Sequence, residues 1–87
     1  MRVTQTKQFS KDLKMQQKRG KDLQMLKDLI ALLLSEEVLP AKNRDHALTG
    51  HWFGWGDCHL EPDWLLIYKR STDELRLGRT GTHSDLF

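Results

Sequence analysis

Apolar positions along the chain fall into two regimes. Between residues 23 and 34, Leu23, Leu26, Leu29, Ile30, Leu33 and Leu34 recur at steps of three and four. That spacing predicts a helix with one apolar stripe of about three turns. It closes by Ser35, because Glu36 and Glu37 suit the negative helix end poorly and Pro40 follows. A first helix starts between Thr6 and Ser10, either of which can cap it. It ends at "KRG", where Lys18 and Arg19 complement the helix dipole and Gly20 suits a left-handed cap. Ahead of it, Arg2 to Lys7 is rich in Val and Thr and reads as an edge strand.

Past the helical hairpin the period shortens. "LPAKNRDHALTG" (39–50) is a polar loop, and "HWFGWGDCHL" (51–60) reads as a strand. "EPD" makes a turn, and "WLLIYKR" (64–70) is apolar on both faces, as a central strand is. After "STDE", "LRLGRT" (75–80) forms a further strand. The predicted class is α+β: an N-terminal strand, a helical hairpin, then a three-stranded antiparallel meander, in one domain over residues 1–87. The helices cover one sheet face and leave the other for a site.

Alternation sorts the candidates for chemistry. On a strand over 51–60, His51, Phe53, Trp55, Asp57 and His59 share a face, and Trp52 and Cys58 point the other way. Asp63, Arg79 and His83 come next to that face through the meander. A lone histidine on a small domain is more often structural or exposed. Two histidines, two carboxylates and an arginine together suit acid–base chemistry on a phosphate. Zinc is the rival use of the same residues, but Cys58 faces away and no CxxC or HxxxH pair exists, so no metal and no cofactor is expected. Cys58 is most simply a small buried hydrophobe.

Charge adds a partner. The net charge of +2 splits into +5 over residues 1–30 (eight Lys/Arg, three acids) and −3 over residues 31–87 (six Lys/Arg, nine acids). A basic half suits an anionic partner, most often nucleic acid. Lys7, Lys11, Lys14, Lys18 and Lys21 step by four, three, four and three, with no acid on the stripe, which favours phosphate contacts over a merely solvated face. Trp52, Trp55 and Trp64 are candidates to stack on bases, with at least two of them expected in the core. No apolar run is long enough for a membrane span or a secretory signal, and one cysteine cannot form an internal disulfide; the expectation is a cytoplasmic protein.

Three stretches together carry a resemblance. "RDHALTGHW" (44–52), "HLEPDWLLIYK" (59–69) and "RTGTHSDLF" (79–87) resemble the motifs of RelE/YafQ-type toxins of bacterial type II toxin–antitoxin systems, as does "FSKDLKMQQKRGKD" (9–22). The resemblance covers the whole chain. It implies the RelE/ParE-like fold and a metal-independent mRNA interferase, an endoribonuclease acting at the ribosome. It also implies a cognate antitoxin, with operator DNA reached only through that antitoxin. Functional positions carried over are His46, Asp57, His59, Asp63, Trp64, Arg79, His83 and Phe87. The chain departs from the family at Phe53, Gly54, Trp55 and Gly56, where relatives often carry basic residues.

On that reading the RNA brings its own nucleophile, the 2′-hydroxyl. His83 is the expected general acid, and Asp63 or His59 the base, with Asp57 and His46 in support. Arg79 offers a fork to phosphate oxygens and Phe87 stacks on a base. Two other readings compete: a toxin of the same fold that poisons DNA gyrase by binding alone, and an RNA-binding module without catalysis.

Overall fold

Both helices form where the pattern places them. The computed structural model describes residues 1–35 and 37–87, so Glu36, read above as lying just past the second helix, falls outside the described residues. Helix α1 spans Lys7–Lys18, capped by the Thr6 side chain, which accepts from the Phe9 amide at 2.9 Å. It stops at Arg19, and Gly20 follows with φ +80°, a conformation that carries no penalty for glycine. Helix α2 spans Leu23–Leu34; Asp22 caps it by accepting from the Gln24 amide. Its stripe buries Leu26, Leu29 and Leu33.

The strands are β1 (Arg2–Gln5), β2 (His46–Ala47), β3 (Gly56–Glu61), β4 (Trp64–Arg70) and β5 (Glu74–Gly81). They form one sheet in the order β1-β5-β4-β3-β2, so β4 is central, as its unbroken apolar run predicts. The predicted meander β3-β4-β5 is present, while β1 runs parallel to β5 and β2 adds an antiparallel edge that the sequence pattern did not predict. The strand expected over 51–60 is corrected at its start. Residues 50–52 form a 3₁₀ turn, Gly54 takes φ +93°, and pairing begins only at Gly56. The shared face expected for His51, Phe53 and Trp55 therefore does not exist; for Asp57 and His59 it does.

Packing divides the sheet. The face toward the helices buries Cys58, Trp64, Leu66, Tyr68, Leu75 and Leu77 against Phe9 and the α2 leucines. Fully burying each such side chain contributes about 1.5–3 kcal/mol. The opposite face is not bare: Leu65 and Ile67 pack with Leu48, Trp52, Trp55 and, from the last helix α3 (His83–Leu86), Leu86. Trp64 is fully buried, with its indole N–H donating to Thr80 Oγ1 at 2.9 Å. It is a core residue, which corrects its assignment as an RNA contact.

A bulge at Gly78 sets the end of β5. Tyr68 pairs with Leu77 and Ile67 with Arg79, so Gly78 is the extra residue and the alternation of β5 inverts beyond it. Leu75 and Leu77 face the helices before the bulge; after it Thr80 does, and Arg79 turns to the other side. A side chain at Gly78 would collide with the Trp55 ring at 2.6 Å. Since β1 pairs with β5 only up to Leu77, α1 covers the rest of that edge. Asp12, 7% exposed, accepts from the Thr80 amide at 3.3 Å and from Arg79 Nε and Nη2 at 2.9 and 3.0 Å.

Replacing Asp12 by Ala would leave a half-buried guanidinium and a buried amide without partners. The expected loss is about 2–3 kcal/mol of stability, below the value for a wholly buried pair because Arg79 is partly exposed. Urea unfolding measures it; a midpoint equal to wild type would mean that Asp12 does not secure the β5 edge.

Candidate active site

Five titratable side chains converge on the sheet face away from the helices. Asp57 and His59 project from β3, as their cross-strand partners Ile67 and Leu65 do from β4. His46 pairs with Asp57 across β2 and β3, with its Nδ1 3.3 Å from Asp57 Oδ1. Asp63 occupies the β3–β4 turn, and His83 opens α3 directly after β5.

The tail reaches this face because the chain leaves β5 after Gly81, which still pairs with Leu65 and where a Cβ would meet Asp85 Oδ2 at 2.7 Å. Thr82 and Asp85 then cap α3 reciprocally, side chain to backbone in both directions. Three ties hold the helix down. Leu86 fills the second core, Asp85 takes a bidentate bond from Arg19 at 2.6 and 3.1 Å, and Asp63 Oδ1 accepts from the His83 backbone N–H at 2.9 Å. Phe87 continues the turn, its amide donating to the His83 carbonyl, but its ring is 61% exposed. Leu86, not Phe87, plugs the core.

The protonation states follow from these contacts. Asp63 Oδ1 lies 2.6 Å from His83 Nδ1, and the bonds from the His83 amide and ring hold the Asp63 carboxyl below its ordinary range. An ionised Asp63 only accepts, so His83 Nδ1 is the donor in that bond, and Nε2 has no hydrogen-bond partner among the described residues. Burial pushes the Asp57 carboxyl up, against the opposing charges of His46, His59 and His83. Its Oδ1 is buried with no hydrogen bond, as is His59 Nδ1. His59 and His83 face each other with ring centroids 5.4 Å apart. The site therefore holds one exposed carboxylate kept ionised and one buried carboxyl biased toward the neutral form, the arrangement that separates acid and base roles.

Not every predicted residue joins the cluster as expected. The Arg79 fork, read as free for phosphate, is taken by Asp12 through Nε and Nη2, which leaves Nη1 without a bond among the described residues. Lys21 does not extend the lysine stripe as a free cation. It pairs with Glu61 at 2.7 Å and sits 5.8 Å over the Trp64 ring. Lys7, Lys11, Lys14 and Lys18 are exposed on the side of α1 opposite its buried Phe9, Asp12 and Gln16. Burial pushes the Cys58 thiol up, as for an inert core residue. Sequence reasoning missed Asp12, Arg19 and Asp85, which position the site without forming it. The i, i+3 pair Thr82/Asp85 was the available signal for the cap.

Fold and cluster together define a small α+β protein in which histidines and carboxylates gather where its C-terminal helix meets the sheet. The chain belongs to the family of bacterial toxins of type II toxin–antitoxin systems, YafQ, whose sequence model matches residues 1–87. It is 53% identical over 81 residues to the mRNA interferase toxin YafQ of Escherichia coli K12, covering 92% of this chain and 88% of that protein. The crystal structure of the E. coli DinJ–YafQ complex aligns with a TM-score of 0.92 at 49% identity, covering 100% of this chain and 99% of that one. A crystal structure of a metal-bound toxin from Helicobacter pylori aligns with a TM-score of 0.93 at 39% identity, again covering 100% and 99%. Among the described residues, no helix is long and apolar enough to cross a membrane, and no three His, Cys, Asp or Glu side chains are grouped to hold a metal ion.

The anchoring of α3 carries a pH dependence of known sign. The Arg19 bond, then the bond from Thr82, holds the Asp85 carboxyl well below its usual range. A depressed folded pKa contributes stability that is complete above the unfolded value of about 4 and fades as pH falls through the folded one. The difference in melting temperature between wild type and Asp85→Asn should thus be full at neutral pH and shrink in acid below about pH 4. A difference that does not change with pH would show that Asp85 acts through its shape alone.

Proposed function

We propose that this chain is an mRNA interferase: an endoribonuclease that cuts messenger RNA on the ribosome by 2′-hydroxyl attack and is held inactive by a cognate antitoxin. The observation that carries the reading is the Asp63–His83–His59 arrangement, in which a carboxylate fixes one imidazole in a donor tautomer facing a second imidazole. His83 Nε2 protonates the departing 5′-oxygen, and Asp63 orients His83 through Nδ1. With Asp63 bonded to His83, His59 is the better-placed base for the 2′-hydroxyl. His46 and buried Asp57 stabilise charge around it. Arg79 lends Nη1 to the phosphate while Asp12 holds the rest of its fork.

The exposed Phe87 ring stacks on a base and fixes the scissile step, and the four α1 lysines contact phosphates elsewhere on the ribosome. The names of the similar E. coli proteins support both the mRNA substrate and the antitoxin partner. A gyrase poison needs no such cluster, and neither does a plain RNA-binding module.

The His83→Ala variant should fold and bind antitoxin yet cut mRNA on translating ribosomes at a background rate. Wild-type products should end in a 2′,3′-cyclic phosphate or its opened form, in EDTA as in its absence, provided the ribosomes stay intact. A folded His83→Ala protein cutting near the wild-type rate sinks the assignment; loss of cutting in EDTA with rescue by zinc makes the cluster a metal site.

Removing Phe87 alone should lower the cleavage rate about ten- to a hundredfold, the equivalent of one stacked base at roughly 1–3 kcal/mol. Its exposure predicts a melting temperature within a few degrees of wild type. A large fall in melting temperature with activity preserved below the melt would assign the residue to the fold.

A further inference from the structure

Two cations beside the cluster have no use in the chemistry above. Lys42 and Arg44 are exposed on either side of Asn43, which is 8% exposed. The Asn43 Nδ2 donates to the His59 carbonyl at 2.7 Å, tying this segment to β3 at the residue whose ring faces His83. Arg44 closes the 3₁₀ turn of Ala41–Asn43 in the left-handed region, with φ 46°. Its carbonyl accepts from His46 Nδ1 at 2.9 Å. The backbone of the basic pair is therefore bonded to two histidines of the site, so its position is fixed relative to them.

A hollow of about 380 Å3 opens here, lined by Lys42, Arg44, His59, Leu60, Glu61 and Pro62. Neither cation has a carboxylate partner among the described residues, whereas Glu61 is neutralised by Lys21 at 2.7 Å. The inner wall is His59, 7% exposed, whose Nδ1 is buried without a hydrogen-bond partner. Two cations without acidic partners, lining a concave wall against the cluster, are free to take an anion from solution.

We infer that this hollow is a phosphate subsite, in which Lys42 and Arg44 grip the RNA phosphate next to the scissile one. The inference rests on the RNA-cleaving reading above. His59 belongs to both the hollow and the cluster, so a strand with its scissile phosphate between His59 and His83 carries its neighbouring phosphate along this side. Arg44 offers a planar fork for two phosphate oxygens and Lys42 a mobile point charge.

The test compares wild type with Lys42→Gln/Arg44→Gln and with the charge-keeping Lys42→Arg/Arg44→Lys, in cleavage of mRNA on translating ribosomes at several salt concentrations. The neutral pair should raise KM about five- to tenfold with kcat within about twofold, and flatten the salt slope of log(kcat/KM) by about 0.7, one phosphate on a single strand. The charge-keeping pair should restore most of KM. Unchanged KM and slope in the neutral pair, with wild type cutting normally, overturn the subsite and leave the cleavage reading standing. A wild type that cuts nothing removes both. Unchanged cleavage with weakened antitoxin binding overturns the RNA assignment and makes the pair a protein contact.

Discussion

One carboxylate closes the open edge of this sheet. Strand β1 accompanies β5 only to Leu77, and the Thr6 amide and hydroxyl then bond to the carbonyls of Leu77 and Gly78. Beyond that point the outer edge of β5 has no strand beside it, and an unpaired buried amide is costly. Asp12 meets the need from α1, accepting from Thr80 while gripping Arg79. The end of β5 that leads into α3 is set by that placement. The C-terminal tail is thus referenced to the helical hairpin, although the cluster lies on the opposite face of the sheet.

The cluster itself works by contrast between two carboxyl groups. Asp63 is 64% exposed in its side chain and held ionised by two bonds from His83. Asp57 is 3% exposed, and burial outweighs the attraction of three histidines to raise its pKa. Equal acids in unequal surroundings give a fixed anion to orient one imidazole and a buried group whose charge is costly unless a neighbour is protonated. The same logic explains why His46 lies over Asp57 at the rim. It shields the buried oxygen from one side and leaves its own outer face open to a substrate.

The sequence made the helices, the meander and the cluster legible because each rests on local rules. Leucine spacing, the KRG stop and the all-apolar run of β4 each determine one element without help from the rest. What the sequence did not reveal depends on pairs far apart. The inversion at Gly78 needs the Trp55 ring to lie over β5, and nothing around Gly78 announces it. Arg79 looked free because Asp12 is 67 residues away, and Lys21 looked free because Glu61 is 40 residues away. Trp64 was misassigned for a related reason. An aromatic beside a candidate aspartate looks functional in one dimension, but alternation along β4 turns Trp64 toward the helices, and Thr80 supplies the indole with an internal partner.

The last helix shows how a short segment can be positioned tightly against a sheet. A helix of four residues has almost no stability of its own, since nucleation alone outweighs its few bonds. Order in α3 is therefore borrowed, and the lenders are distinct in kind. Leu86 is apolar and packs on Leu65 and Ile67; Asp85 is ionic and answers to Arg19 at the end of α1; His83 is hydrogen-bonded and answers to Asp63 in the β3–β4 turn. Three ties from three elements fix translation and rotation together, which no single one can do. Side chains on a helix point in different directions by residue, so locking Leu86 inward obliges Phe87 to face out. The exposed Phe87 ring is then the geometric consequence of a well-anchored helix.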